Sequence, residues 1–129
     1  MVGIVIVSHS SKVAEGVKEL ALQMASNVPI AAAGGTSDNE LGTDLEKIIL
    51  AIKQVYSKDG VAILFDLGSA CMNAQMAIES LTDEMQSNVK IIDAALVEGA
   101  ITIAVDSSIG KSLHEIEVVA RKLCLHKMA

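Results

Sequence analysis

The chain has 129 residues, a length that suits one domain, residues 1–129, with a buried core and leaves no room for a second. Its formal charge is −6 and Arg121 is its only arginine, so it lacks the basic footprint of a nucleic-acid binder, and no nucleic-acid partner is expected. No apolar run reaches the length of a membrane span, no signal peptide opens the chain, and Cys71 and Cys124 match neither a zinc site nor a disulfide framework; no membrane partner and a cytoplasmic location are expected.

Gly3-Ile4-Val5-Ile6-Val7 reads as a strand buried on both faces of a parallel sheet, and Ser8-His9-Ser10-Ser11 follows it at once. A first helix is predicted over about Lys12 to Ala25, with Val13, Val17, Leu20, Ala21 and Met24 on one stripe. A second strand follows Pro29, over Ile30 to Ala33, and leads into the polar loop Gly34-Gly35-Thr36 through Gly42-Thr43. Thr43-Asp44-Leu45-Glu46 has the form of a capping box, and Leu45, Ile48, Ile49, Ile52 and Val55 give the second helix its apolar face. Val61 to Phe65 is the third buried strand, Ala74, Ala77, Ile78 and Leu81 mark a third helix, and Val89 to Ile92 is a fourth strand.

Residues Ala100 to Val105 are rich in β-branched side chains, yet Val97, Ala100, Ile101 and Ala104 fall at helical spacing, and the spacing predicts helix. Gly110 breaks the chain, Ser112 with Glu115 forms a capping box, and Ile116, Val119, Ala120 and Leu123 form the core face of a last helix. Met24, Met72, Met76 and Met85 are expected to fill gaps in the core, Cys71 to be a small packing residue, and His114 and His126 to face solvent. Strands alternating with helices in βαβα order predict an α/β fold.

In open α/β sheets ligands bind beyond the carboxyl ends of the strands, and His9 and Asp66 both stand at such corners. If the first and third strands are neighbours, as in the flavodoxin-like order 2-1-3-4, their spacing of about 4.8 Å brings carboxylate and imidazole within reach. A carboxylate on Nδ1–H leaves the lone pair on Nε2, free as a nucleophile or base. The plainer role for Asp66 is a cap on the helix that follows it. Ser10 and Ser11 at one helix start, Gly35, Thr36 and Thr43 in the polar loop, and Gly68 and Ser69 after Asp66 are candidates to hold phosphate oxygens. No lysine is expected near the site to act as a phosphate clamp and no second acid to bind a metal, an outfit that suits a covalent phosphoryl carrier.

Other chemistries lack their letters. Neither G-x-G-x-x-G nor G-x-x-x-x-G-K-[ST] is present for nucleotide binding, and no G-x-S-x-G marks a hydrolase. A two-component receiver needs an acidic cluster after the first strand, where this chain has Ser8-His9-Ser10.

Val5-Ile6-Val7-Ser8-His9-Ser10-Ser11 together with Asp66-Leu67-Gly68-Ser69-Ala70 resembles the DhaM family, the phosphotransfer subunits of phosphoenolpyruvate-dependent dihydroxyacetone kinases. Gly42-Thr43-Asp44 and Leu96-Val97-Glu98-Gly99 extend the resemblance, which spans essentially the whole chain. These subunits are similar to the IIA domains of mannose-type sugar transporters, and that relation implies a doubly wound, mainly parallel sheet with helices on both faces, and a homodimer. The transporter members usually follow the histidine with Gly and carry a tryptophan and further glycines after the Asp, so the kinase branch is the nearer match. The resemblance implies that His9 takes a phosphoryl group from HPr and passes it to ADP on a partner kinase subunit. No tightly bound cofactor and no metal is implied, only the phosphoryl group on His9. A IIA component feeding a sugar permease, and a regulatory module switched by phosphorylation, are the alternatives.

Overall fold

Four short apolar runs form four parallel strands in the computed structural model, which describes residues 1–128. These are Gly3–Ser8 (β1), Ile30–Gly34 (β2), Val61–Phe65 (β3) and Val89–Ile92 (β4), lying in the order β2-β1-β3-β4. β1 pairs with β2 from Ile4↔Ile30 to Ser8↔Gly34 and with β3 from Gly3↔Val61 to Val7↔Phe65. This register brings the carboxyl ends of the three strands level, so the loops that follow them emerge side by side.

The helices are Ser11–Met24 (α1), Leu45–Val55 (α2), Gly68–Glu79 (α3), Asp83–Ser87 (α4), Leu96–Ser108 (α5) and Leu113–Ala120 (α6), with a 3-10 turn over Arg121–Leu123. They cover both faces of the sheet. On one face Ile4, Ile6, Ala62 and Leu64 meet α1, α5 and α6; on the other Val5, Val7, Ile63 and Phe65 meet α2 and α3. Fully burying one such aliphatic or aromatic side chain contributes about 1.5–3 kcal/mol, against about 1 kcal/mol for a helix cap, so burial on the two faces outweighs the caps in holding the helices to the sheet. No described helix is long and apolar enough to cross a membrane.

The β-branched run after Ala100 lies within α5, as its spacing predicts, and Ser112 and Glu115 close a reciprocal capping box on α6. Elsewhere the structure corrects the sequence. α1 buries Ala14, Val17 and Ala21, while Val13, Leu20 and Met24 are exposed. The helix has turned its small residues inward, because alanines let its backbone lie close to β2 and α5. Met72 and Met76 are exposed too, and of the methionines expected in the core only Met85 packs against it. The N-cap of α2 is Asp44, which accepts from Glu46 N–H, and not Thr43. α4 is too short for periodicity to reveal.

Gly34 closes the contact between β2 and α1. A methyl group there would come 2.5 Å from the Ser10 carbonyl oxygen and 2.8 Å from Ala14 Cβ. Gly34→Ala should therefore lower stability by about 1–3 kcal/mol, the usual cost of overpacking. Urea unfolding checks this: a lower midpoint at unchanged slope is expected, and a wild-type midpoint would show that α1 can withdraw freely.

Candidate functional site

β1 carries Ser8 and His9 to the carboxyl edge of the sheet, and β3 carries Asp66 there one strand away. Val7 pairs with Phe65, and the next N–H, that of Asp66, still donates to the Val7 carbonyl at 3.2 Å. The Asp66 carboxylate then gathers four contacts. Oδ2 accepts from the buried Ser8 hydroxyl and from His9 N–H, each at 2.9 Å. Oδ1 accepts from Leu67 N–H at 2.7 Å and lies 3.0 Å from His9 Nδ1. Burial opposes ionisation of this group, but the hydrogen bonds from His9, Ser8 and Leu67 outweigh it and hold the Asp66 carboxyl below its usual range.

An ionised carboxylate can only accept, so the hydrogen between Asp66 and His9 belongs to Nδ1. In the neutral ring Nε2 then carries the lone pair, and Ser69 Oγ, 2.7 Å away, donates to it. The His9 side chain is 27% exposed, open to an approaching macromolecule while its other nitrogen is held from behind. The alternative role for Asp66, the cap of α3, is not what the structure holds. The N-cap position is Leu67 and no side chain caps that helix.

The other candidates divide. Ser69 reaches the ring, and Gly68 opens α3 beside it. Ser10 uses its hydroxyl to cap α1 through Val13 N–H. Gly35, at φ +75°, donates its N–H to Ser8 O, and Thr36 closes its loop internally through Glu40. Thr43 Oγ1 accepts from Asn73 Nδ2, and Gly42 N–H donates to the His9 carbonyl at 2.8 Å, which draws this loop onto the site. Ser11 lines a cavity of about 270 Å³ with Glu15, Gly34, Asn39 and Lys47, apart from His9, Asp66 and Ser69. Cys71 is buried among the packing residues of α3, and that burial pushes its thiol pKa up.

Three residues at this edge escape the sequence reading. Asn73 sits one turn beyond Ser69 on α3, and that four-residue spacing was the available signal. Lys47 donates to Gly34 O at 3.0 Å and Asn39 Oδ1 at 2.7 Å, pinning the loop after β2. Lys127 donates to Phe65 O at 2.5 Å and Ala94 O at 2.8 Å, directly behind Asp66. The expectation that no lysine stands near the site fails here: Lys47 comes from the first turn of α2 just past the loop and Lys127 from a distant segment, and both bind main-chain carbonyls. Leu41 beside Gly42, Leu67 beside Asp66 and Met72 on α3 are exposed.

Residues 3–117 match the family model EIIA-man, described as PTS system fructose IIA component. The chain is 41% identical over 117 residues to the phosphoryl donor subunit DhaM of PEP-dependent dihydroxyacetone kinase 2 from Listeria innocua, covering 90% of this chain and 94% of that one. It is 35% identical over 125 residues to the phosphotransferase subunit DhaM of the PTS-dependent dihydroxyacetone kinase from Lactococcus lactis, covering 97% and 98%. Against the DhaM subunit of Escherichia coli it is 41% identical over 120 residues, 90% of this chain, and spans a quarter (25%) of that longer protein. Among solved structures it is similar to EF1359, a protein of unknown function, with TM-score 0.84 and 37% identity over 94% of this chain and 93% of that one. A sigma-54 interaction domain protein from Enterococcus faecalis shares the fold, with TM-score 0.71 and 19% identity over 94% and 88%.

The lowered pKa of Asp66 makes its contribution to stability complete above the ordinary value of 3.8, and that contribution is lost as pH falls through the lower folded value. Urea midpoints taken between about pH 5 and about pH 2 should therefore fall more steeply for the wild type than for Asp66→Asn. Parallel curves would mean that the hydrogen bonds to Asp66 add nothing to folding.

Proposed function

The chain belongs to the EIIA-man family and, within it, to the DhaM phosphoryl donor subunits, and from that membership we propose that it is a phosphohistidine carrier serving a dihydroxyacetone kinase. The observation that carries this reading is the pair of contacts on one ring, Asp66 at Nδ1 and Ser69 at Nε2. HPr is the proposed donor, and ADP on a kinase subunit the proposed acceptor.

In the first step the Nε2 lone pair of His9 attacks the phosphorus of phosphorylated HPr. A nitrogen–phosphorus bond forms on His9 as the one on HPr breaks, and the HPr imidazole leaves with the electron pair. The His9 ring gains positive character with its hydrogen still on Nδ1, and the Asp66 carboxylate offsets that charge. The Ser69 hydroxyl moves from the lone pair to a phosphoryl oxygen, and the first-turn N–H groups of α3 stand ready for another. Of the remaining candidates, Ser10 adjoins His9 and donates its N–H to the Ser8 hydroxyl that holds Asp66, Thr43 is tied to Asn73 of α3, Gly35 and Thr36 shape the loop after β2, and Ser11 lines the separate cavity. In the second step an oxygen of the ADP β-phosphate attacks the same phosphorus and the electron pair returns to Nε2.

Both partners would dock over the same edge, against Leu41, Leu67 and Met72, and so compete; transient interfaces of this kind bury less than about 1,200 Å². We further propose a cytoplasmic homodimer, for which the exposed apolar row Val13, Leu20 and Met24 of α1 provides surface. The competing reading is a IIA component feeding a sugar permease, which the wording of the family description favours.

Incubation with phosphoenolpyruvate, enzyme I and HPr should leave an acid-labile phosphoryl group on His9, located by peptide mass spectrometry. A label on Asp66, Cys71 or His114 instead would sink the assignment. Asp66→Asn should slow transfer strongly, with about 10⁴-fold as the upper bound set by an analogous carboxylate, while circular dichroism stays unchanged. Phosphorylated protein should lose its label to an ADP-loaded kinase subunit; a label that moves only to a permease component would favour the transporter reading.

A further inference from the structure

β3 and β4 are paired as far as Leu64↔Ile92 and then part, β3 turning through Asp66 toward His9 and β4 through Asp93 and Ala94 toward α5. The fork leaves carbonyl groups without a ladder partner. The segment Cys124 to Met128 lies across it: Met128 N–H donates to Asp93 Oδ2 at 2.9 Å, and Ala95 N–H donates to Leu123 O at 2.8 Å just before it. From this strap the Lys127 ammonium reaches both the Phe65 and Ala94 carbonyls, 4.4 Å from the centroid of the Phe65 ring. Its own carbonyl backs the turn after Asp66, since a methyl group on Gly68 would come 3.3 Å from it.

We infer that Lys127 is a positioning residue for His9: by holding the Phe65 carbonyl and backing Gly68, it sets the direction in which Asp66 and Ser69 leave β3. The inference rests on the phosphohistidine reading above. Lys127 lies outside residues 3–117, the part of the chain that matches the family model. The peptide it grips is the one that joins Phe65 to Asp66, so a rotation there would move Oδ1 from Nδ1 and, through Leu67 and Gly68, Ser69 from Nε2. Burial pushes the ammonium pKa down while the carboxylates of Asp93 and Asp66 oppose this, which fits a cation held in place by the fork rather than free in solvent.

The test is Lys127→Met in the full chain, which keeps the stem and removes the donors. In unphosphorylated protein carrying ¹⁵N-histidine, the wild-type His9 ring should show the Nδ1–H tautomer by NMR, and the variant a mixture of tautomers. Transfer from HPr should slow about tenfold at saturating HPr, within the roughly 10²-fold that a 1 Å misplacement can cost, and Lys127→Arg should recover most of the rate. A Lys127→Met protein with wild-type tautomer and rate overturns the inference even if its melting temperature drops, because the strap would then serve stability alone. If that variant does not fold, Lys127→Gln is judged on the same two measurements. The tautomer requires no phosphoryl donor, so a wild-type ring with the expected tautomer that takes no phosphate would overturn the phosphohistidine reading and not the role of Lys127.

Discussion

Everything at the carboxyl edge depends on where one carboxylate sits. Asp66 takes hydrogen bonds from the Ser8 hydroxyl, the His9 main chain, the His9 ring and the Leu67 main chain, and so ties the end of β1 to the end of β3 and dictates the tautomer of the ring between them. A partly buried charge would be costly alone. With these donors it stays ionised, and its negative charge stands where positive charge would develop on the ring. The same contacts that order the turn also prepare the imidazole.

This arrangement is possible because the surrounding elements pack closely. Gly34 lets the start of α1 rest on the end of β2, Ala14 and Ala21 let the helix lie flat, and Gly68 leaves room for the Lys127 carbonyl. Larger residues at these places would push the loops apart. The apolar side chains displaced from the interior, such as Leu20 and Met24, are left on the surface.

Strands and most helices were legible because a two-sided parallel sheet writes continuous β-branched runs and its helices write a 3.6-residue period. That His9 and Asp66 meet followed from the strand order, since both close buried strands that the fold makes neighbours. Failures share a cause as well. The face of α1 was misread because large apolar residues weighed more than alanines, although close packing favours the small ones. Asp44 took the cap from Thr43 because Thr43 was drawn to Asn73, a tertiary partner that no local pattern announces. Lys127 meets Phe65 from 62 residues away, and nothing periodic links the two.

The bonds that shape the ring span large distances along the chain: 57 residues from His9 to Asp66 and 60 from His9 to Ser69. Every strand pairing in the sheet is likewise non-local, a topology that folds slowly compared with helical bundles. The Nδ1–H tautomer therefore cannot be imposed by β1 and its turn alone. It comes into being only when β3 has docked beside β1, so a nascent or partly unfolded chain exposes an ordinary histidine. Completion of folding and selection of the ring tautomer are thus one event.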